Sequence, residues 1–256
     1  MKFVVISLKK AKTIIALVLA LTITLTTVML TGAQSITAFN SNANRKLPIY
    51  GVQTEEKKIA ISFDCAWGAE YTESLLETMR EKGVKCTFFT VQFWTEKYPE
   101  MIKAIDQEGH EIGTHSATHP HMSSLSRQAI KGELESSMRS ITEITGKKVE
   151  LFRPPFGEYD DEVIVTAEEL GLYTIQWSVD SLDWKDLSAK EIENRVISRV
   201  KNGSIVLFHN NGKHTAEALP KIIDLLQKDG YEFVRIGDLI YRENYKIAVD
   251  GTQIKN

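Results

Sequence analysis

A parallel α/β fold is predicted for most of this 256-residue chain. Two patterns predict it. Short apolar runs of strand length alternate with longer segments of helical spacing from residue 58 to residue 245. Most of the helical segments stop at a glycine, which tolerates the left-handed backbone of a helix end. Strands separated by helices imply a parallel sheet covered by helices. A closed barrel and an open doubly wound sheet both fit. In either one the active site lies at the carboxyl ends of the strands.

The elements follow in order. A first strand is read at 59–64 (IAISFD). A helix at 72–82 has apolar spacing at Leu75, Leu76 and Met79. Further strands are read at 86–91, 111–114, 149–153, 173–179, 204–208 and 232–234. Helices are read between them at 99–108, 126–145, 160–170, 188–201 and 215–229, with a short one at 237–242. Ser188 and Glu191 stand at capping-box spacing, which fixes the start of the 188–201 helix. Nothing divides the run, so 58–245 is expected to be one domain, followed by a tail at 246–256.

Ahead of it, Lys9, Lys10 and Lys12 precede an uncharged run at 13–30, and Thr31-Gly32-Ala33 follows. Residues 1–33 therefore read as a signal peptide cleaved after Ala33 or as a retained membrane anchor. The body is then expected outside the cytoplasmic membrane, touching it only through this segment. Residues 34–57, rich in Asn, Ser, Thr and Gln, read as a linker. The composition is 43% hydrophobic and 25% charged, ordinary for a globular domain. The 34 acidic residues outnumber the 31 basic ones, four of which lie in the first 33 positions. A body of that balance carries no footprint for nucleic acid. With only Cys65 and Cys86, no disulfide framework is expected.

The ends of the strands carry the chemistry. The first ends in Asp64-Cys65, the third runs into His115 and His119, and the fourth ends in Arg153-Pro154-Pro155-Phe156-Gly157. The fifth leads to Asp180-Ser-Leu-Asp183-Trp184, and the sixth to Leu207-Phe208-His209. Two imidazoles at i, i+4 suit a divalent metal, although Pro120 disfavours helix at His119, so their turn must be local. Asp64 directly after an apolar strand is costly unless it is paired or reactive. Arg153 would hold it ionised. Cys65 is either a thiolate metal ligand or a small buried apolar residue. Asp183 and His209 could form an acid-oriented imidazole. Trp184 could form a wall for a sugar ring. Each of these residues also has a structural reading: a turn cap, an ion pair, a loop or core.

In this order the segments Ser62-Phe63-Asp64, His115-xxx-His119, Arg153-Pro-Pro-Phe-Gly, Asp180-Ser-Leu-Asp183-Trp184 and Leu207-Phe208-His209 resemble the five motifs of the polysaccharide deacetylases. These are the NodB-homology proteins of carbohydrate esterase family 4. The stretch KIAISFDCAWG is most similar to the PdaB-like sporulation subgroup. The resemblance implies a distorted (β/α)7 barrel and metal-dependent removal of N-acetyl groups from the amino sugars of a cell-wall glycan, spore peptidoglycan in that subgroup. It implies Asp64 as general base, Arg153 as its partner, and His115 and His119 as ligands of a divalent metal such as zinc. It further implies His209 as general acid oriented by Asp183, the Phe156 N–H as oxyanion donor, Leu207 as the acetyl-methyl pocket and Trp184 as groove wall.

One position departs from the pattern. The family's usual second Asp is Cys65 here, which makes Cys65 the candidate third ligand. It also opens an alternative, a catalytically impaired protein that binds glycan or is structural. A two-carboxylate glycosidase using Asp64 and Glu158 is a weaker third reading, because it leaves the paired histidines unexplained.

Overall fold

A computed structural model of the chain describes Thr22 and residues 45–256. The expected export segment, Thr22 apart, and the first part of the linker lie outside the described residues. Among the described residues no helix is long and apolar enough to cross a membrane.

The strands run β1 (Gly51–Val52), β2 (Lys58–Cys65), β3 (Thr87–Thr90), β4 (Glu111–Thr114), β5 (Leu151–Phe152), β6 (Tyr173–Thr174), β7 (Val179–Asp180), β8 (Ile205–His209), β9 (Glu232–Phe233), β10 (Tyr245–Ile247) and β11 (Thr252–Lys255). The main sheet has the order β6-β5-β4-β3-β2-β8-β7, and all of its pairs are parallel. β9 joins only the first two residues of β2. Read around a circle, that order is the order of the sequence. A doubly wound sheet would reverse direction at its middle; this sheet curls instead, so that its two edge strands, β6 and β7, are consecutive in the chain. The barrel reading holds, with a seam between β6 and β7.

The seam explains two differences from the sequence reading. The fifth expected strand, 173–179, is broken: β6 pairs with β5 and β7 with β8, and 175–178 pairs with neither in a ladder. Residues of the expected linker fill the gap. The Ile49 N–H donates to the Thr174 carbonyl at 2.9 Å, and the Ile49 carbonyl accepts from Gln176 N–H at 2.7 Å. Val52 N–H donates to the Gly203 carbonyl at 2.9 Å. Backbone groups at a buried break need partners, and this segment supplies them. Gly203 is required here: at φ 74°, a Cβ on it would sit 1.7 Å from the Val52 carbonyl oxygen. The expected tail is ordered as well. β1, β11 and β10 form a small sheet of their own, with Gln253 buried and bonded twice to the Tyr241 backbone. These pieces are too short and too polar to show a period in the sequence.

The helices match the reading closely. Thr72–Lys82, Arg127–Thr145, Asp161–Glu169, Ala189–Ile197 and Thr215–Lys228 all form. Ser126, Asp160 and Ser188 cap their helices through their side chains, and Ser188 with Glu191 makes a complete capping box. A helix at Gln92–Lys97 was not anticipated.

Alternation along β2 sets the two sides of the sheet. Ile59, Ile61, Phe63 and Cys65 belong to the largest apolar cluster, between sheet and helices. Ala60 belongs to a second cluster on the other side, and Ser62 and Asp64 follow it in period, both bonded to Arg153. Phe63 stacks on Phe88 and Phe208 at 5.1 and 5.6 Å, tying β2 to β3 and β8.

Candidate active site

A cleft of about 610 Å³ opens at the carboxyl ends of the strands. Asp64, His115, His119, Phe156, Trp184, Leu207 and His209 all line it, so seven of the residues given a role from the sequence come together. Asp64 and His209 are register partners on the adjacent strands β2 and β8.

Asp64 is buried. Arg153 Nη1 donates to its Oδ1 at 2.7 Å, while Nη2 donates to Ser62 Oγ at 2.9 Å and to the Gln176 carbonyl at 3.2 Å. The guanidinium also lies 4.1 Å from the Phe89 ring centroid. Burial pushes the Asp64 pKa up, but Arg153 first, then His115 and His209, bring it below the ordinary carboxylate value. A carboxylate is thus held ionised away from bulk water.

His115 Nδ1–H donates to the Arg153 carbonyl at 2.7 Å, which leaves Nε2 bare, 3.6 Å from Asp64 Oδ2. Burial holds its pKa down. His119 has its ring centroid 4.9 Å from that of His115. The pair is brought together by a turn and not by a helix: Ser116 and His119 have φ of 72° and 59°. Pro120 excludes the helical alternative, and Ser116 Oγ accepts the His119 N–H at 3.0 Å. From the Arg127–Thr145 helix, Glu133 accepts from the N–H groups of Ala117 and Thr118 and from the Thr118 hydroxyl, at 2.8 to 2.9 Å, and so pins the loop. Burial, then the neighbouring His115, lowers the His119 pKa to about 4.

On the other side, Asp183 Oδ1 accepts from His209 Nδ1–H at 2.8 Å, and Oδ2 accepts from the His209 backbone N–H and the Thr215 hydroxyl. Burial lowers the His209 pKa, but the hydrogen bond and charge of Asp183 outweigh it and raise the pKa. The Asp183 carboxylate therefore fixes the tautomer and favours the imidazolium. Phe156 sits in a tight turn at φ 58° beside His119, with ring centroids 4.6 Å apart. Positive φ at Ser116, His119, Phe156 and Leu182, none of them glycine, concentrates backbone strain around the cleft.

The structure corrects one candidate. Cys65 does not line the cleft. It is fully buried in the apolar cluster behind β2, with Sγ nearest the Phe63 carbonyl at 4.0 Å. The reason is the period of the strand: a residue next to cleft-facing Asp64 points the other way. Burial, then Asp64, pushes the thiol pKa well above its usual value, so no thiolate is offered. Glu158 pairs with exposed His121 at 2.8 Å and is not part of the cleft wall, which removes the second carboxylate of the glycosidase reading. Asp180 accepts the Leu182 N–H, as a turn residue does. Ala66, Trp67, Trp177 and Asn211 also line the cleft, and the sequence motifs assign them no role. Trp177 was read as part of a continuous strand. Trp67, an aromatic three positions past a strand-end Asp, could have been noticed.

A family model of polysaccharide deacetylases matches residues 51–175. A peptidoglycan-N-acetylglucosamine deacetylase of Bacillus cereus is 36% identical over 194 residues, covering 74% of this chain and 91% of that protein. The chain belongs to the polysaccharide deacetylase family. Listeria monocytogenes peptidoglycan-N-acetylglucosamine deacetylase PgdA is 35% identical, and this chain spans 43% of its length. The solved structure of BA3943, a CE4 family pseudoenzyme from Bacillus anthracis, superposes with a TM-score of 0.73 at 34% identity, covering 80% of this chain and 69% of that one. A mutant of that pseudoenzyme has restored enzymatic activity. The curled parallel sheet is the distorted barrel of this family.

Deacetylases of the family are generally metal-dependent, and the residues here do not fit a metal centre. Two imidazoles face the cleft, but among the described residues no three His, Cys, Asp or Glu side chains are grouped to hold an ion. A catalytic zinc takes three protein donors. The position that would supply the third holds the buried, protonated Cys65.

Proposed function

We propose that the cleft hydrolyses the acetamido group of an N-acetylated amino sugar in a cell-wall glycan. The observation that carries this reading is the register pairing of Asp64 with His209, each with a buried partner of its own, Arg153 and Asp183. Asp64 takes a proton from a water as its oxygen bonds to the acetyl carbon. The Phe156 N–H donates to the developing oxyanion, and Leu207 receives the methyl group. The carbon–nitrogen bond breaks as His209 gives its proton to the departing amine, and acetate leaves. His115, His119 and Trp184 line the space around the sugar.

The substrate within this class is spore peptidoglycan, with the chain in the PdaB-like subgroup and exported by residues 1–33. The stretch KIAISFDCAWG and the export pattern support these points. Zinc, if bound, is held by His115 and His119 alone and is lost readily to chelators.

Acetate release from N-acetylglucosamine oligomers tests the reading. Asp64→Asn and His209→Ala are each expected to lose at least about 10²-fold. Wild-type turnover in either variant overturns the roles. The burial of Cys65 favours a second reading, a glycan-binding protein without catalysis. Glycan binding with no acetate released by the wild type, metal added or not, would select it.

A further inference from the structure

We propose that Gln176 is a positioning residue for the amide hydrolysis: its side chain holds the turn that presents the Phe156 N–H, while its carbonyl holds the guanidinium that grips Asp64. The inference rests on the reading of Phe156 as oxyanion donor and Asp64 as base, and adds the residue that keeps the two in one frame.

The Phe156 turn needs such a support. Phe156 and the next residue, Gly157, both have positive φ, 58° and 69°. Glycine adopts that backbone freely, whereas phenylalanine holds it only where its surroundings over-determine it. Pro154 and Pro155 are buried and anchor the start of the turn. The Phe156 ring is exposed and gives the middle little packing. The end is fixed from the seam: the buried Gln176 donates from Nε2 to the Gly157 carbonyl at 3.0 Å.

The backbone of Gln176 makes the second link. Its carbonyl accepts from Arg153 Nη2 at 3.2 Å, and Nη1 of the same guanidinium donates to Asp64 Oδ1 at 2.7 Å. Its N–H donates to the Ile49 carbonyl at 2.7 Å, so the residue is itself tied across the seam. The partner of the base and the turn of the oxyanion donor therefore meet at one side chain, which lies outside the five sequence motifs.

The broken strand makes this arrangement possible. In a regular strand successive side chains point to opposite faces. In the stretch 175–178 both Gln176 and Trp177 reach the same turn: a Cβ on Gly157 would lie 3.3 Å from Gln176 Oε1 and 3.0 Å from Trp177 Cη2. The two side chains leave the turn no room to settle toward them. An N–H that must meet an oxyanion gains most when it is fixed in place before the reaction.

The test is acetate release from N-acetylglucosamine oligomers by the full chain, with kcat and KM measured separately for Gln176→Met and Gln176→Asn. Met keeps the length and removes the donor; Asn keeps an amide that falls one methylene short. Each is expected to lose at least about tenfold in kcat with KM within about twofold, part of the roughly 10²- to 10³-fold that a missing oxyanion donor costs. Both variants keep the backbone carbonyl, so the acid limb of the pH–rate profile, which reports Asp64, should stay in place. The Glu158 amide resonance, whose peptide carbonyl belongs to Gly157, should shift in NMR spectra. Wild-type kcat in either variant, or a loss in KM alone, overturns the role. A displaced acid limb also overturns it, because the loss would then lie at Asp64 and not at the turn. If neither variant folds, the wild type decides: slow exchange of a Gln176 side-chain amide proton supports the role, and exchange as fast as that of a free amide overturns it. Variants that match the wild type while Asp64→Asn is inactive leave the hydrolase reading standing. No acetate from the wild type sinks both.

Discussion

The two faces of β2 differ by one residue and by nearly everything else. On one face Asp64 meets Arg153, is held ionised, and opens onto the cleft. On the other, Cys65 lies among apolar side chains, kept neutral by the same burial. Low polarity is common to both; only the presence of a partner separates them. A functional residue is therefore defined by what its face of the strand provides, and a neighbour in sequence is no neighbour in the site.

Removing the partner breaks that contrast most severely. Arg153→Leu leaves Asp64 as an unpaired buried carboxylate and is expected to lower stability by about 3–5 kcal/mol, read by chemical denaturation at pH 7. In the wild type the depressed Asp64 pKa adds stability above the ordinary carboxyl pKa, lost as pH falls through the folded value. The Leu variant should lose this acid-side dependence.

Cys65→Asp puts a carboxyl where no partner waits and is expected to cost about 2–3 kcal/mol without gaining metal, read by thermal melting and metal analysis. A stable variant that binds zinc would mean that the strand end can turn residue 65 into the cleft. Asp183→Asn removes the charge that raises the His209 pKa. NMR titration of that imidazole should show a lower pKa, and any alkaline limb of acetate release should move to lower pH. The smallest effect is expected at Glu133→Gln, which weakens the bonds that pin the 115–119 loop and should cost about 1 kcal/mol by denaturation.

Much of this was legible in the sequence because strands read as apolar runs and their ends as sudden polar residues. Asp64, His115, Asp183 and His209 all announced themselves in that way. The face of Cys65 was legible too, from period two along 59–64, but the resemblance to a ligand position pointed the other way. The seam was not legible. Ile49 and Val52 are single apolar residues in a polar stretch, and their role depends on a break at 175–178 that YTIQWSV, a uniform strand pattern, gives no sign of. Trp67 sits in a loop beside Gly68, whose carbonyl is held by the buried Trp94 and Asn210, packing that the sequence does not show.

The seam has a mechanical consequence. Ile49 is bonded to the backbone of Thr174 and Gln176, and the Gln176 carbonyl accepts from the guanidinium that grips Asp64. Tension applied to the chain ahead of Ile49 would load the contacts of Lys46 with Asp161 and Glu168, and then that stitch. It would then reach the base of the cleft through two hydrogen bonds, so a pull on the leading strand and the ionisation of Asp64 share a single line of force.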